Sequence, residues 1–338
     1  MQCSILDILR DSGDTYVSGE EMAKIAGVSR SAIWKNIQEL RARGYEIDSR
    51  ARNGYRLVST PDILLPEEIS YGLHTDVIGK KIIFFERTDS TNIQAKRIAA
   101  DGAPDGTIIV AEEQNSGRGR LERQFFSPPG KGIWFSMILR PEMRPSDATK
   151  FTLASAVAVA EALDSIGLKA DIKWPNDVLY HGKKLVGILT EMSAEIDRIN
   201  YIVIGTGINV NIQKAEFPEH LKDIATSIEV MNGGPVNRVY FFQKVLEAFD
   251  KIYETILREG FNPIIEKWKK YALARGQNVK VVEAGSGNTF YGTVKGLAED
   301  ASLIISTPDG ERRVMAGDVS VRMPDQKDEP VQKKSGGQ

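Results

Sequence analysis

Two changes of hydrophobic periodicity divide this chain. Up to about Thr60 the pattern is that of short capped helices closing in a brief alternating stretch. From there to about Tyr271, strand-like apolar runs alternate with long amphipathic helices, and beyond Ala272 only polar–apolar alternation remains. At 338 residues the chain exceeds what a single core organises, so the expected division is 1–60, 61–271 and 272–324, with a polar, disordered tail over 325–338.

In the first zone Ser18 and Glu21 have the spacing of a capping box, opening a helix over Glu20–Ala26 that stops at Gly27. Ser29 caps a second helix from Arg30 to Arg43, and Gly44 follows its basic end. A short helix, a tight turn and a longer helix make a helix-turn-helix. Ile33, Ile37 and Leu40 share the inward stripe of the second helix. Ser31, Trp34, Lys35, Gln38 and Arg41 line its other side, and Arg30 starts it. Strands Tyr45–Asp48 and Gly54–Val58 around Ala51–Asn53 add a wing with Arg50 and Arg52 near its tip, and Asn53-Gly54 is a hairpin signal. Between Val28 and Thr60 seven basic residues face three acidic ones, in a chain whose net charge is -2. With no global attraction to polyanions, local excess and its placement make DNA the expected partner. One such unit reads little sequence, so a dimer on a two-fold operator is implied.

Composition excludes several classes. The single cysteine, Cys3, has no internal disulfide partner, and three scattered histidines show no metal-ligand spacing. Residues 1–10 lack an apolar export run and no segment has the length of a membrane span, so a cytoplasmic location is expected.

The middle zone reads as a mixed sheet with helical cover: strands Lys81–Glu86, Thr107–Glu112, Ile133–Leu139 and Tyr201–Ile208, helices Thr91–Ala100, Ala148–Ser165 and Arg238–Arg258. Neither standard phosphate loop is present, because Gly205-Thr206-Gly207 lacks the third glycine and the following helix of a dinucleotide fingerprint. A basic loop stands in their place: Gly117-Arg118-Gly119-Arg120-Leu121-Glu122-Arg123, after Gln114-Asn115-Ser116. Glycines admit an anion to backbone amides, and arginines neutralise phosphate or carboxylate. An exposed Arg-Gly loop without a ligand is the alternative.

Four blocks then occur in order: Thr88-Asp89-Ser90-Thr91-Asn92, the basic loop, Lys173-Trp174-Pro175-Asn176-Asp177 with Lys183-Lys184-Leu185-Val186-Gly187-Ile188-Leu189, and Gly205-Thr206-Gly207-Ile208-Asn209-Val210. This series resembles the signature of biotin protein ligases, and the winged helix in front resembles the branch that also represses the biotin operon. The resemblance covers roughly residues 1–325. It implies an α+β multidomain fold: winged helix-turn-helix, a central mixed α/β ligase domain of the class II synthetase-like type, and an SH3-like C-terminal β-barrel. It also implies that Ser90, Thr91 and Asn92 meet the ureido head of biotin and that Gln114 contacts the bound biotin. Arg118, Gly119 and Arg120 would close over its carboxyl end, with Lys184 beside the carboxylate and α-phosphate. Gly187, Leu189, Gly205 and Gly207 would form the walls, and Arg120, Arg123, Phe125, Asn209 and Arg322 the nucleotide side. Ser90 also suits a simple N-cap role for the helix at Thr91. Where the family usually has glycine this chain has Glu122, and Phe125 stands where tryptophan is common, which puts closure of the loop in question.

The chemistry implied is ATP-dependent formation of biotinyl-5'-AMP and transfer of biotin to a lysine of a biotin carboxyl carrier protein or domain. Two anions must meet, so Lys184 and Arg118 are the expected catalytic cations, with Mg²⁺ assisting. Adenylate-bound protein would form a homodimer on operator DNA and repress biotin-synthesis genes. Three alternatives stay open at this point. They are ligation of lipoate by the same route, a ligase whose winged helix no longer binds DNA, and a biotin-sensing repressor without ligase activity.

Overall fold

A computed structural model describes residues 4–120, 123–283, 288–315 and 319–322. Glu122, the tail over 325–338 and the side chain of Arg322 lie outside the described residues. The chain divides into two compact units, Met1–Ile63 and Leu64–Gln338.

In the first unit, α1 (Ile5–Asp11), α2 (Gly19–Ala26) and α3 (Arg30–Ala42) precede the hairpin β1 (Glu46–Arg50) and β2 (Gly54–Ser59). The helix α1 has no counterpart among the sequence expectations. Its local signal is Ser4 with Asp7, which bond reciprocally as a capping box. Ser18 and Ser29 cap α2 and α3 through the amides of Glu21 and Ala32. Leu9, Met22, Ile33 and Ile37, all fully buried, form the core of this unit.

The second unit is built on a seven-stranded mixed sheet. In chain order come α4 (Pro66–Ser70), β3 (Ile82–Thr88), α5 (Thr91–Ala100), β4 (Thr107–Gln114), β5 (Gly132–Leu139) and α6 (Lys150–Ser165). They are followed by β6 (Asp171–Lys173), β7 (Asp177–Tyr180), β8 (Lys183–Ala194), β9 (Ile199–Asn209), α7 (Ile228–Asn232), α8 (Arg238–Glu259) and α9 (Asn262–Tyr271). The strand order is β3-β4-β5-β9-β8-β7-β6, with β3 and β4 parallel and every other pair antiparallel.

Period-two alternation sorts this sheet into faces. Ile108 and Val110 join the large core under α6, α8 and α9, whereas Ile109, Ile138 and Val203 pack with Ala95 and Ala99 of α5 on the opposite face. At the start of α8 the fully buried Arg238 donates to Glu112 of β4 (2.9 Å) and to the Gly132 carbonyl (3.0 Å). That ion pair clamps helix to sheet, since a buried charge is tolerable only when paired.

Strands β10 (Asn278–Glu283), β11 (Thr289–Leu297), β12 (Leu303–Thr307), β13 (Gly310–Val314) and β14 (Val319–Arg322) form an antiparallel sheet in the order β13-β12-β11-β10-β14. Among the described residues this sheet is open, where the SH3-like expectation was a closed barrel. The reason lies in its apolar face: Val279, Val294 and Leu303 join the same core as Ile172, Trp174 and Trp268. Neighbouring elements cover that face, so closure on itself is not needed to bury it. No helix among the described residues is long and apolar enough to cross a membrane.

Candidate functional site

Three glycines on two adjacent strands make the floor of the site. Gly187, Gly207 and Trp134 lie opposite one another across β8, β9 and β5, and Leu189, Gly205 and Ser136 form the next row. Directly opposed residues share a face, and Val203 and Ile138 two residues on pack against α5. The glycines therefore open on the α5 side. Thr206 between them points the other way, its hydroxyl 3.2 Å from that of Ser155 on α6. Without side chains at Gly187, Gly205 and Gly207 the floor is flat, and above it lies a cavity of about 340 Å³.

One end of the cavity is neutral and polar. Ser90, Thr91 and Asn92, all nearly fully buried, begin α5. The Thr91 amide and hydroxyl donate to Gln114 Oε1 (2.8 and 3.1 Å), and Gln114 Nε2 donates to Ser127 Oγ (3.0 Å). Asn92 Nδ2 donates to the Leu189 carbonyl (3.3 Å) and to Glu191 (2.9 Å), while its Oδ1 accepts from Ser136 (2.6 Å). Lys96 holds Glu191 in turn at 2.7 Å. Asn92 thus ties the helix to the floor, and a Cβ at Gly205 would stand 2.0 Å from its Oδ1. Ser90 occupies the N-cap position, but its side chain makes no capping hydrogen bond. The expected structural role is absent, and its residue lines the cavity instead.

The other end is cationic. The basic loop doubles back on itself: Phe125 N–H donates to the Gly117 carbonyl (2.8 Å) and Gly119 N–H to that of Arg123 (2.7 Å). Asp177 is the one carboxylate among the described lining residues, against Arg118, Arg120, Arg123, Lys173 and Lys184. Lys184 Nζ pairs with Asp177 at 2.7 Å, and Arg120 donates to Asn176 Oδ1 at 3.3 Å. Burial pulls Arg120 below its usual pKa, and Asp177 works in the opposite direction. Arg118 is exposed at the rim. Five cations facing one carboxylate suit an anion that arrives with more than one negative charge.

Phe125 lies between the two ends. Its ring meets Trp134 edge-on at 5.8 Å, and Lys184 Nζ stands 5.9 Å from its centroid. Cβ atoms at Gly187 and Gly207 would fall 2.8 and 2.6 Å from this ring. Asn209 lines the same cavity, with Nδ2 donating to the Thr226 carbonyl at 2.9 Å. Sequence reasoning gathered these residues but missed Glu191, Ser136, Ser127 and Trp134, which hold them. The signal was the register of alternation: Trp134 and Ser136 are spaced by two, as are Gly205 and Gly207.

In the first unit Arg30, Ser31, Trp34 and Lys35 are exposed on α3, with Trp34 at 59% of its full exposure, and Gln38 is half-buried. Arg41 differs. Its guanidinium donates to the Ile47 carbonyl at 2.6 and 3.2 Å and to Ser49 Oγ at 3.3 Å, fastening α3 to β1. Arg50 stacks over the Tyr16 ring at 4.7 Å and stands 3.6 Å from Asp48, which also accepts a hydrogen bond from the Tyr16 hydroxyl. That bond is the main cause holding Asp48 below its usual pKa. Arg52 sits exposed at the tip with a left-handed φ of 71°. Gly54 is required by a close approach, because a Cβ there would meet the Val17 carbonyl at 2.0 Å.

Comparison with known proteins follows the same division. The biotin/lipoate A/B protein ligase family matches residues 84–209, an HTH domain matches 2–56, and a biotin protein ligase C terminal domain matches 275–322. The chain is 41% identical to the bifunctional ligase/repressor BirA of Bacillus spizizenii over 94% of its own length and 97% of that protein. It is 29% identical to the bifunctional ligase/repressor BirA of Escherichia coli, over 91% and 93% of the two chains. Among solved structures it is similar to a biotin protein ligase from Aquifex aeolicus in complex with biotin and ATP. That match has a TM-score of 0.64 and 31% identity, covering 72% of this chain and all of that one.

Proposed function

The chain belongs to the biotin protein ligase family, in its bifunctional ligase/repressor branch, and from that premise we propose how its residues divide the work. One observation carries the reading: a neutral polar end, a glycine floor and a cationic end meet in one cavity. Biotin has a neutral ureido head, an apolar bicycle and an anionic tail, and these three surfaces match in that order. Ser90, Thr91 and Gln114 face the head, with Asn92 holding the wall. Gly187 and Gly207 let the Phe125 ring come close to the floor and Gly205 does the same for the Asn92 amide, and the bicycle is assigned to the cavity beside them, bordered by Leu189. Arg118, Gly119, Arg120 and Lys184 receive the carboxylate. Arg123, Phe125 and Asn209 take the nucleotide side, and Arg322 is assigned there by resemblance alone.

In the first step a biotin carboxylate oxygen attacks the α-phosphorus of ATP. The bond to the bridging oxygen breaks, and pyrophosphate leaves with its electron pair. Like charges approach, so Lys184 and Arg118 lower the barrier by offsetting them, with Arg120 and Arg123 on the phosphates. A Mg²⁺ bound to the triphosphate would offset part of its charge. In the second step the amine of a carrier-domain lysine attacks the acyl carbon, AMP leaves with the C–O bond pair, and the nitrogen loses a proton. No enzyme nucleophile is required.

Incubation with ATP and either labelled biotin or labelled lipoate, followed by addition of a carrier domain, tests this assignment. Biotinyl-AMP and biotinyl-lysine are expected; transfer of lipoate alone overturns it. The repressor half rests on the first unit, where the exposed face of α3 and the Arg52 tip are the surface for operator DNA. Adenylate is proposed to order the loop from Gly117 and the segment after Gly207, and so to favour the dimer that paired half-sites select. Sedimentation with and without biotin plus ATP reads that coupling, and an unchanged dimer affinity contradicts it.

A further inference from the structure

Thr91 and Asn92 belong to the wall at the polar end of the cavity. Ser136 and Glu191, which are not among the described lining residues, bond to them. The fully buried Ser136 hydroxyl has one hydrogen and two acceptors in reach, Asn92 Oδ1 at 2.6 Å and Thr91 Oγ1 at 2.8 Å. Which of them receives it decides what Thr91 has left to offer. The Thr91 backbone amide can only donate, so it turns Gln114 Oε1 towards itself at 2.8 Å. The Thr91 hydroxyl hydrogen goes to the same oxygen at 3.1 Å, which leaves Thr91 Oγ1 an acceptor towards everything else. If Ser136 donates to it, part of that capacity is spent; if Ser136 donates to Asn92, it stays free.

Glu191 settles the choice. Its carboxylate, paired with Lys96 at 2.7 Å, has no hydrogen to give, and its Oε2 lies 2.9 Å from Asn92 Nδ2. The Leu189 carbonyl, also an acceptor only, lies 3.3 Å from the same nitrogen. Turning the Asn92 amide over would set its oxygen against two oxygens, at a cost that burial raises. The NH₂ edge of Asn92 therefore faces Glu191, its oxygen faces Ser136, and the Ser136 hydrogen goes to Asn92.

We propose that Glu191 is a positioning residue for the biotin site: acting through Asn92 and Ser136, it keeps the Thr91 hydroxyl oxygen open to accept a hydrogen bond from a ureido N–H. This rests on the reading of the cavity as a biotin site with Thr91 at the head. Glu191→Gln changes one oxygen into an NH₂ group of the same size. An amide there donates to the Asn92 oxygen and lets Asn92 turn over. Asn92 then donates to Ser136, and the Ser136 hydrogen is redirected to Thr91 Oγ1.

The test follows biotin transfer to a carrier domain by the full chain, over a range of biotin and of ATP. Glu191→Gln should raise the KM for biotin about threefold to tenfold, the range one neutral hydrogen bond supplies. The KM for ATP and kcat should stay within about twofold, the pattern of lost binding rather than lost chemistry. In the Ser136→Ala background there is no hydrogen to redirect, and Glu191→Gln should change the biotin KM by less than about twofold. A residue that merely supports the fold would weaken both ligands, and its effect would not depend on the Ser136 hydroxyl. Glu191→Met, which removes the acceptor without adding a donor, serves if Glu191→Gln does not fold. An unchanged biotin KM, equal losses for biotin and ATP, or the same loss with and without the Ser136 hydroxyl overturns the proposal. Wild-type protein that does not use biotin overturns the underlying reading, a failure seen before any variant is made.

Discussion

At the scale of single residues, Asn92 and Gly205 show how little freedom the proposed ligase site leaves. Both amide hydrogens and the oxygen of Asn92 are engaged, and Gly205 lies directly beneath that oxygen. Asn92 has nowhere to retreat without losing bonds. Gly205→Ala should therefore destabilise the protein by about 1–3 kcal/mol, as overpacking does, and weaken biotin binding, both measured by calorimetry. Gly234→Ala is the control, since a Cβ there meets nothing within 4 Å and should change stability by less than about 0.5 kcal/mol. Equal melting of the two variants would show that the clash is relieved. In sequence Asn92 reads as one of several polar residues near a helix start. Its role depends on Ser136 and Glu191, 44 and 99 residues away, and no local pattern reports a pairing at that distance.

At the scale of elements, strand and helix positions were mostly legible, because period two and period 3.6 are local properties. The helix α5 coincides with its expected span, Thr91–Ala100. The strands β6, β7 and β8 escaped because their residues look like a motif first: Lys173–Asp177 is rich in turn formers, and Gly187 interrupts the apolar run. The wing was legible as well, yet its fastening was not. Arg41 has the spacing of a groove-facing residue but spends its guanidinium on β1. Arg41→Ala should lower the stability of the first unit by about 1 kcal/mol, the scale of the bonds lost, and weaken operator binding as a consequence. Arg52→Ala should leave stability within about 0.5 kcal/mol and reduce the salt dependence of operator binding by about one phosphate contact. Thermal melting beside binding over a salt series separates the two. Should Arg41→Ala weaken binding without altering the melt, it is a groove contact after all.

At the scale of the whole molecule, charge was the least informative property. A net charge of -2 conceals a basic stretch from Val28 to Thr60 and a cavity where, among the described lining residues, five cations accompany one carboxylate. Only placement in three dimensions separates them, and placement is what joins Arg120 and Lys184 to Asn176 and Asp177 across strands and loop. The same holds for the C-terminal sheet, whose alternation is plain in sequence. That it shares a core with Trp174 and Trp268, and so stays open among the described residues, is not. In the proposed scheme both activities share one intermediate, biotinyl-AMP, which would either be held and favour an operator-bound dimer or be consumed by an acceptor. A single sample addresses this most directly: protein, ATP, labelled biotin and operator DNA, followed by footprinting and adenylate assay before and after a carrier domain is added. The prediction is protection of a two-fold site while adenylate is present, and its loss as biotinyl-lysine appears. Protection that ignores biotin and ATP, or that persists after the adenylate is consumed, would contradict it.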